Sequence, residues 1–430
     1  QEELGRMDPE TLLKDLKRAD ARLEDLLGNW KGRRAVTAAS VTNEAQASTQ
    51  FDMVHHDLLT LFDRKLGDTY GTTMHELLME AEEAGASDLH LKVGVPPIFR
   101  VDGELRKTKH PPLSPGNTIY LCGSLLTALQ KEELTQNLQI DLSYAVPSGP
   151  RFRVNMFLQT KGLEAAFRYI DPRIPSFREL NMPERQLRRI AASQDGLILV
   201  TGPTGCGKTT TLAAIINYIN RSFAKHIITI EDPIEYVHEN KLSYLSYREV
   251  GIDVRSFPMG LRGALREDPD VILIGELRDR ETVSTALTLA GTGHLVLASF
   301  HTANASQTIE QLSDFYPAEQ QEHVRRQLAF ILKAVISQRL FSRRDKKGRI
   351  PAYEILVSSH AVRNLIREGS TQQLFSVMQS SAELGMTTFD SILQDLVESR
   401  IVAYDEALPF VYDPTNFRQP SATRTQKKKL

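Results

Sequence analysis

The stretch GPTGCGKT, Gly202 to Thr209, has the composition of a loop that holds phosphate. Its three glycines let backbone amides turn toward one point, and it lies between an apolar run, GLILVT, and a helical pattern, KTTTLAAIINYIN. A helix that opens on such a loop presents unsatisfied N–H groups and the positive end of its dipole to an anion. Gly202, Pro203, Thr204, Gly205, Cys206, Gly207, Lys208, Thr209 and Thr210 are therefore the expected ATP-lining residues. Lys208 would reach the β- and γ-phosphates, and the Thr209 hydroxyl would ligate Mg²⁺ carried by the nucleotide. A Gly-rich turn with an incidental lysine is the competing reading, and it leaves the conjunction of strand, loop and helix unexplained.

Hydrolysis needs an activated water, and three carboxylates follow the apolar run HIITI: Glu231, Asp232 and Glu235 in IEDPIEYVHE. Of these, Glu235 is the expected catalytic residue, orienting or deprotonating the water; an exposed acidic loop is the alternative. DVILIGE (270–276) is a buried-strand pattern ending in a carboxylate, so Glu276 is the expected acid supporting Mg²⁺ or its waters. In TGHLVLASFHT, His294 and His301 stand at either end of one more apolar run, as candidates to polarise the γ-phosphate or sense its loss. Positive charge on that phosphate would come from Arg151, Arg153 and Arg168, which alternate with apolar residues, or from Arg266 and Arg278, which flank the DVILIGE strand.

These residues need strands to carry them and helices to cover the strands. GLILVT, HIITI, DVILIG and HLVLASF are short continuous apolar runs separated by helical patterns, the signature of a parallel sheet in an α/β domain. From about Pro317 to Leu408 the pattern reads as helical, with an interruption near Arg343 to Pro351. Upstream, a helical pattern from Met74 to Ala84, strand-like flanks around the turn Asp102-Gly103, a helical stretch from Leu121 to Leu134, and a hairpin of RFRVNMFLQ and LEAAFRYI make a small α+β domain. The expected division is 1–71, an amphipathic helix (8–28) and a flexible linker (31–50); 72–175, the α+β domain; 176–415, the α/β domain with its helical C-terminal part; and 416–430, a disordered basic tail.

With 430 residues, 41% of them hydrophobic, the chain can fill two cores. Lysine plus arginine (52) and aspartate plus glutamate (54) nearly balance, so no nucleic-acid partner is expected from charge. The only cysteines, Cys122 and Cys206, cannot make a four-cysteine site, so no zinc is expected, and Cys206 within the phosphate loop points to a reducing compartment. No apolar run approaches a membrane span, so a cytoplasmic protein is expected.

In their order, GPTGCGKTTTLAA, TIEDPIEYVHE, LREDPDVILIGELRDRET, TGHLVLASFHT and AVRNLIRE (361–368) resemble the secretion ATPase superfamily, and within it the retraction ATPases of type IV pili, over roughly residues 72–410. The resemblance implies a PAS-like N-terminal domain and a RecA-like ATPase domain in a homo-hexamer, with ATP and Mg²⁺ as cofactors and mechanical work as the output. It also implies an inner-membrane pilus platform protein and a paralogous retraction ATPase as partners, peripheral association at the pilus base, and roles in hydrolysis for Glu235, Glu276, His294 and His301. AVRNLIRE favours retraction over a sibling secretion or conjugation motor; a RecA-like nucleic-acid motor and a non-hydrolysing scaffold are the remaining alternatives.

Overall fold

A computed structural model describes residues 70–147 and 149–419. The helix expected at 8–28, the linker at 31–50 and the tail beyond Gln419 lie outside the described residues. The chain divides into two compact units, Gln1–Pro172 and Arg173–Leu430.

In the first unit, helix α1 (Met74–Glu83) opens on a capping box in which Thr73 and Glu76 satisfy each other's backbone N–H groups. It buries Met74, Leu77, Leu78 and Ala81, the i, i+3, i+4, i+7 stripe of an amphipathic helix. Strands β1 (Asp88–Leu91), β2 (Ile98–Val101) and β3 (Glu104–Lys107) follow, then helices α2 (Pro115–Gly123) and α3 (Ala128–Asn137), then β4 (Gln139–Ala145), β5 (Arg151–Gln159) and β6 (Gly162–Ile170). The strands form one antiparallel sheet in the order β3-β2-β1-β6-β5-β4. Asp102 and Gly103 take φ of 52° and 87°, the paired left-handed conformation of a tight hairpin, and join β2 to β3. The single helix expected from Leu121 to Leu134 is two, because Thr127 caps a fresh start at Ala128. β5 and β6 pair as the expected hairpin, with Phe152, Val154 and Met156 buried and the arginines between them on the other face.

The second unit begins with α4 (Glu184–Ala191), β7 (Gly196–Thr201), α5 (Lys208–Ser222), β8 (His226–Glu231), β9 (Tyr244–Glu249), α6 (Phe257–Ala264) and β10 (Val271–Ile274). It continues with α7 (Arg280–Gly291), β11 (Leu295–Phe300), α8 (Ala305–Asp314), α9 (Ala318–Ile331), β12 (Leu332–Ser342), β13 (Arg349–Val357), α10 (His360–Glu368), α11 (Leu374–Ser380), α12 (Phe389–Glu398) and α13 (Tyr404–Ala407). The sheet order is β13-β12-β7-β11-β10-β8-β9, parallel except for β13. Successive residues of β7 feed opposite faces: Leu197 and Leu199 enter one apolar cluster, Ile198 and Val200 the other. Both faces are therefore covered, which is why these strands read as unbroken apolar runs.

The stretch after Pro317 is not wholly helical. LKAVISQRLFS and RIPAYEILV are strands β12 and β13, and the interruption near Arg343 is the turn of their hairpin. β12 lies parallel to β7, a long-range pairing that local periodicity does not encode. Asn416 and Phe417, expected in the tail, belong to the folded unit, since Phe417 is buried and stacks on Tyr404. Among the described residues no helix is long and apolar enough to cross a membrane.

Candidate active site at the phosphate loop

Parallel pairing decides which residues meet. Thr201 of β7 is opposite Phe300 of β11, and Ile274 of β10 is opposite both Ala298 of β11 and Ile230 of β8. The loops leaving the carboxyl ends of these strands therefore gather on one edge of the sheet, where open α/β folds bind ligands. They carry the phosphate loop after Thr201, the acidic turn after Ile230, Glu276 after Ile274 and His301 after Phe300.

The loop itself is tightly built. Gly202 takes φ of 145°, and a Cβ there would stand 2.2 Å from the Gln338 carbonyl and 2.6 Å from Cys206 Sγ, so no other residue fits. Lys208, the first residue of α5, is only 8% exposed. Its Nζ donates to the carbonyls of Gly202 (2.9 Å) and Pro203 (3.2 Å) and lies 3.4 Å from His301 Nδ1. Burial lowers its pKa, opposed by the fields of Cys206, Glu276 and Glu235. Burial likewise pushes the Cys206 thiol up.

Around Lys208 the acids and bases form a chain. Glu276 Oε1 is 3.0 Å from His301 Nε2, and its Oε2 accepts from Arg278 Nε at 2.8 Å. Arg278 also bridges to Asp232 at 3.2 Å, tying the acidic turn to the end of β10. That turn is held from behind, where the Ile234 N–H donates to buried Glu249 at 3.2 Å. Tyr236 meets the Thr210 hydroxyl of α5 at 3.2 Å, so the residue beside Glu235 touches the phosphate-loop helix. Glu231 is buried at the end of β8, and Glu235 is half-buried on the turn. Among the described residues no three His, Cys, Asp or Glu side chains cluster as a self-sufficient metal site.

The structure thus brings together Lys208, Glu235, Glu276, Arg278, Asp232 and His301. His294 does not join them, which corrects the expectation drawn from its place in the same apolar run. Its carbonyl accepts from Gly196 and its ring meets the Leu289 carbonyl at 3.1 Å, both at the amino edge of the sheet. A strand of six residues separates the two histidines by about 20 Å. Arg266 is likewise misplaced for this site, being exposed in the loop that enters β10 at its amino end. Arg151, Arg153 and Arg168 lie on β5 and β6 of the first unit, where Arg151 donates to Ser143 Oγ (2.6 Å) and Arg168 to Asp88 (3.0 Å).

Two contributors escaped the sequence reading. Gln338 of β12 accepts from the Thr211 hydroxyl at 2.8 Å and donates to the Cys206 carbonyl at 2.7 Å. Ser337 receives the Thr201 hydroxyl at 2.9 Å. A polar pair interrupting the apolar run AVISQRLF was the available signal.

The family described as Type II/IV secretion system protein matches residues 69–346. The type IV pilus retractation ATPase PilT of Pseudomonas aeruginosa is 44% identical over 342 residues, covering 80% of this chain and 99% of that protein. A twitching motility protein of Neisseria gonorrhoeae is 46% identical over 311 residues, covering 72% of this chain and 83% of its own. The crystal structure of the pilus retraction motor PilT with bound ADP matches the α/β fold with a TM-score of 0.75 at 45% identity, over 80% of this chain and 98% of that one.

Proposed function

The chain belongs to the Type II/IV secretion system protein family, among its pilus-retraction ATPases, and from that premise we propose that it is the motor that couples ATP hydrolysis to type IV pilus retraction and twitching motility. One observation carries the chemistry: buried Lys208, half-buried Glu276 and the exposed ring of His301 converge within hydrogen-bonding distance on the carboxyl edge of the sheet.

In this reading the amides of Gly202 to Thr209 and the Lys208 ammonium grip the phosphates. Thr209 and Glu276, both hard oxygen donors, are the residues that would hold Mg²⁺ or its waters. Bound there with the nucleotide, Mg²⁺ neutralises charge on the β- and γ-phosphates. Glu235 orients the attacking water, and His301 engages the γ-phosphate once Lys208 turns from its carbonyl partners to the ligand. Arg278 keeps Glu276 and the acidic turn in place. Arg151, Arg153 and Arg168 supply positive charge to a site on a neighbouring subunit of a homo-hexamer. That ring works at the pilus base against an inner-membrane platform protein, alongside a paralogous retraction ATPase.

Steady phosphate release by the purified chain tests the enzyme. Lys208→Ala and Glu235→Ala are each expected to lower it by about 100-fold or more, the cost of losing one preorganised charge or base. Retention of full turnover in either variant would overturn the assignment. In cells, loss of the gene should leave surface pili that do not retract; normal retraction with failed protein secretion would reassign the motor.

A further inference from the structure

The β12–β13 hairpin sets buried polar side chains against both halves of the site. Gln338, 3% exposed, fastens the phosphate loop through the Cys206 carbonyl and the Thr211 hydroxyl. Opposite Ser337 in the antiparallel register stands Glu354, 5% exposed, whose Oε1 accepts from the Ala305 N–H at 2.7 Å. Ala305 opens α8, four residues after His301. The intervening turn is closed by the Asn304 side chain, which accepts from the Gln307 N–H at 2.9 Å, and by the Thr302 and Thr308 hydroxyls, 2.6 Å apart.

A carboxyl and an amide buried in this strand pair are unfavourable for the sheet alone, because burial strips them of water. Their hydrogen bonds account for them, and those bonds lead to the two segments that must stay in register when the γ-phosphate is engaged. We propose that Gln338 and Glu354 are positioning residues for hydrolysis: Gln338 fixes the phosphate loop, and Glu354, acting through the Ala305 amide and the 301–304 turn, fixes His301 against Lys208 and Glu276. This rests on the reading of His301 as a γ-phosphate contact.

The two residues differ in what they hold, so their loss separates binding from turnover. Gln338 supports the loop that grips every phosphate, so Gln338→Ala weakens ATP and ADP binding together. Glu354 acts on His301, so Glu354→Ala lowers kcat by about tenfold or more while the Kd for ADP stays within about twofold. Glu354→Gln, which keeps an acceptor for the Ala305 N–H, restores kcat, whereas Glu354→Asp, one methylene shorter, does not.

A double-mutant cycle on the full chain gives the decisive measurement, with thermal unfolding checking that each variant is folded. In a His301→Ala background, Glu354→Ala or Glu354→Asp is expected to cost no further kcat, because the group it positions is gone. A full additional loss there, or failure of Glu354→Gln to rescue, overturns the positioning role. If His301→Ala alone leaves kcat unchanged, the reading of His301 fails instead, a separate outcome.

Discussion

At the scale of single residues, the site is specified by atoms that leave no room for substitution. A methyl group on Gly202 would collide with the Gln338 carbonyl of β12, a strand paired with β7 on one side and β13 on the other. Gly202→Ala should therefore cost about 2–4 kcal/mol from overpacking and a left-handed φ, read as a lower Tm together with lost nucleotide binding. An unchanged Tm would mean that β12 can yield. Glu354 makes a pH prediction. Burial first, then the nearby Asp390 charge, raises its pKa to about 7, opposed by the Ala305 N–H; Glu310 and Arg339 line the same cavity. An unfolded glutamate ionises near 4.3, so the folded chain holds this proton over a window where the unfolded chain has lost it. The contribution to stability is thus fully present below about pH 4.3 and is lost as pH rises through 7. Glu354→Gln should flatten that slope and exceed the wild type at pH 8 by about 4 kcal/mol, measured by denaturant unfolding across pH. A wild-type slope retained in the variant would remove Glu354 as its source.

At the scale of elements, α10 shows how one motif divides between packing and display. Val362 and Ile366 are buried in the main core and Leu365 packs against it, while Ala361, Asn364, Arg367 and Glu368 are exposed. The apolar stripe and the Ser359 cap explain why AVRNLIRE is a helix. Nothing in packing requires Arg367, so Arg367→Ala should leave Tm and phosphate release within error while lowering retraction in cells. A parallel fall in phosphate release would place its effect in the enzyme instead. The β12–β13 hairpin teaches the opposite lesson about legibility. Its residues carry apolar periodicity compatible with either a helix or a strand, and only pairing with β7, more than a hundred residues earlier, selects the strand.

At the scale of the whole molecule, the proposed ring divides its chemistry between subunits, with Lys208 from one and the β5–β6 arginines from another. Mixing tests this. Lys208→Ala and Arg153→Ala chains, each inactive alone, should regain part of their phosphate release when co-assembled, because some sites then pair an intact loop with an intact arginine. Recovery of nothing at any mixing ratio would confine each site to one chain.

The chemistry of the phosphate loop was legible from residues 196–220 alone, because a strand, a glycine-rich turn and a helix start are local in sequence and each glycine and lysine has a defined task there. The hairpin turn at Asp102-Gly103 was legible for the same reason. Of the two histidines of TGHLVLASFHT, His301 already stood at the expected carboxyl end of its apolar run, and the direction of β11 in the sheet sends it to Lys208 and leaves His294 at the far edge. Gln338 and Glu354 lie more than 100 residues from the loop they support or its helix partner in the first case, and 49 from Ala305 in the second. Which polar groups meet across such separations depends on strand order and register, and these are properties of the assembled sheet that no local spacing contains.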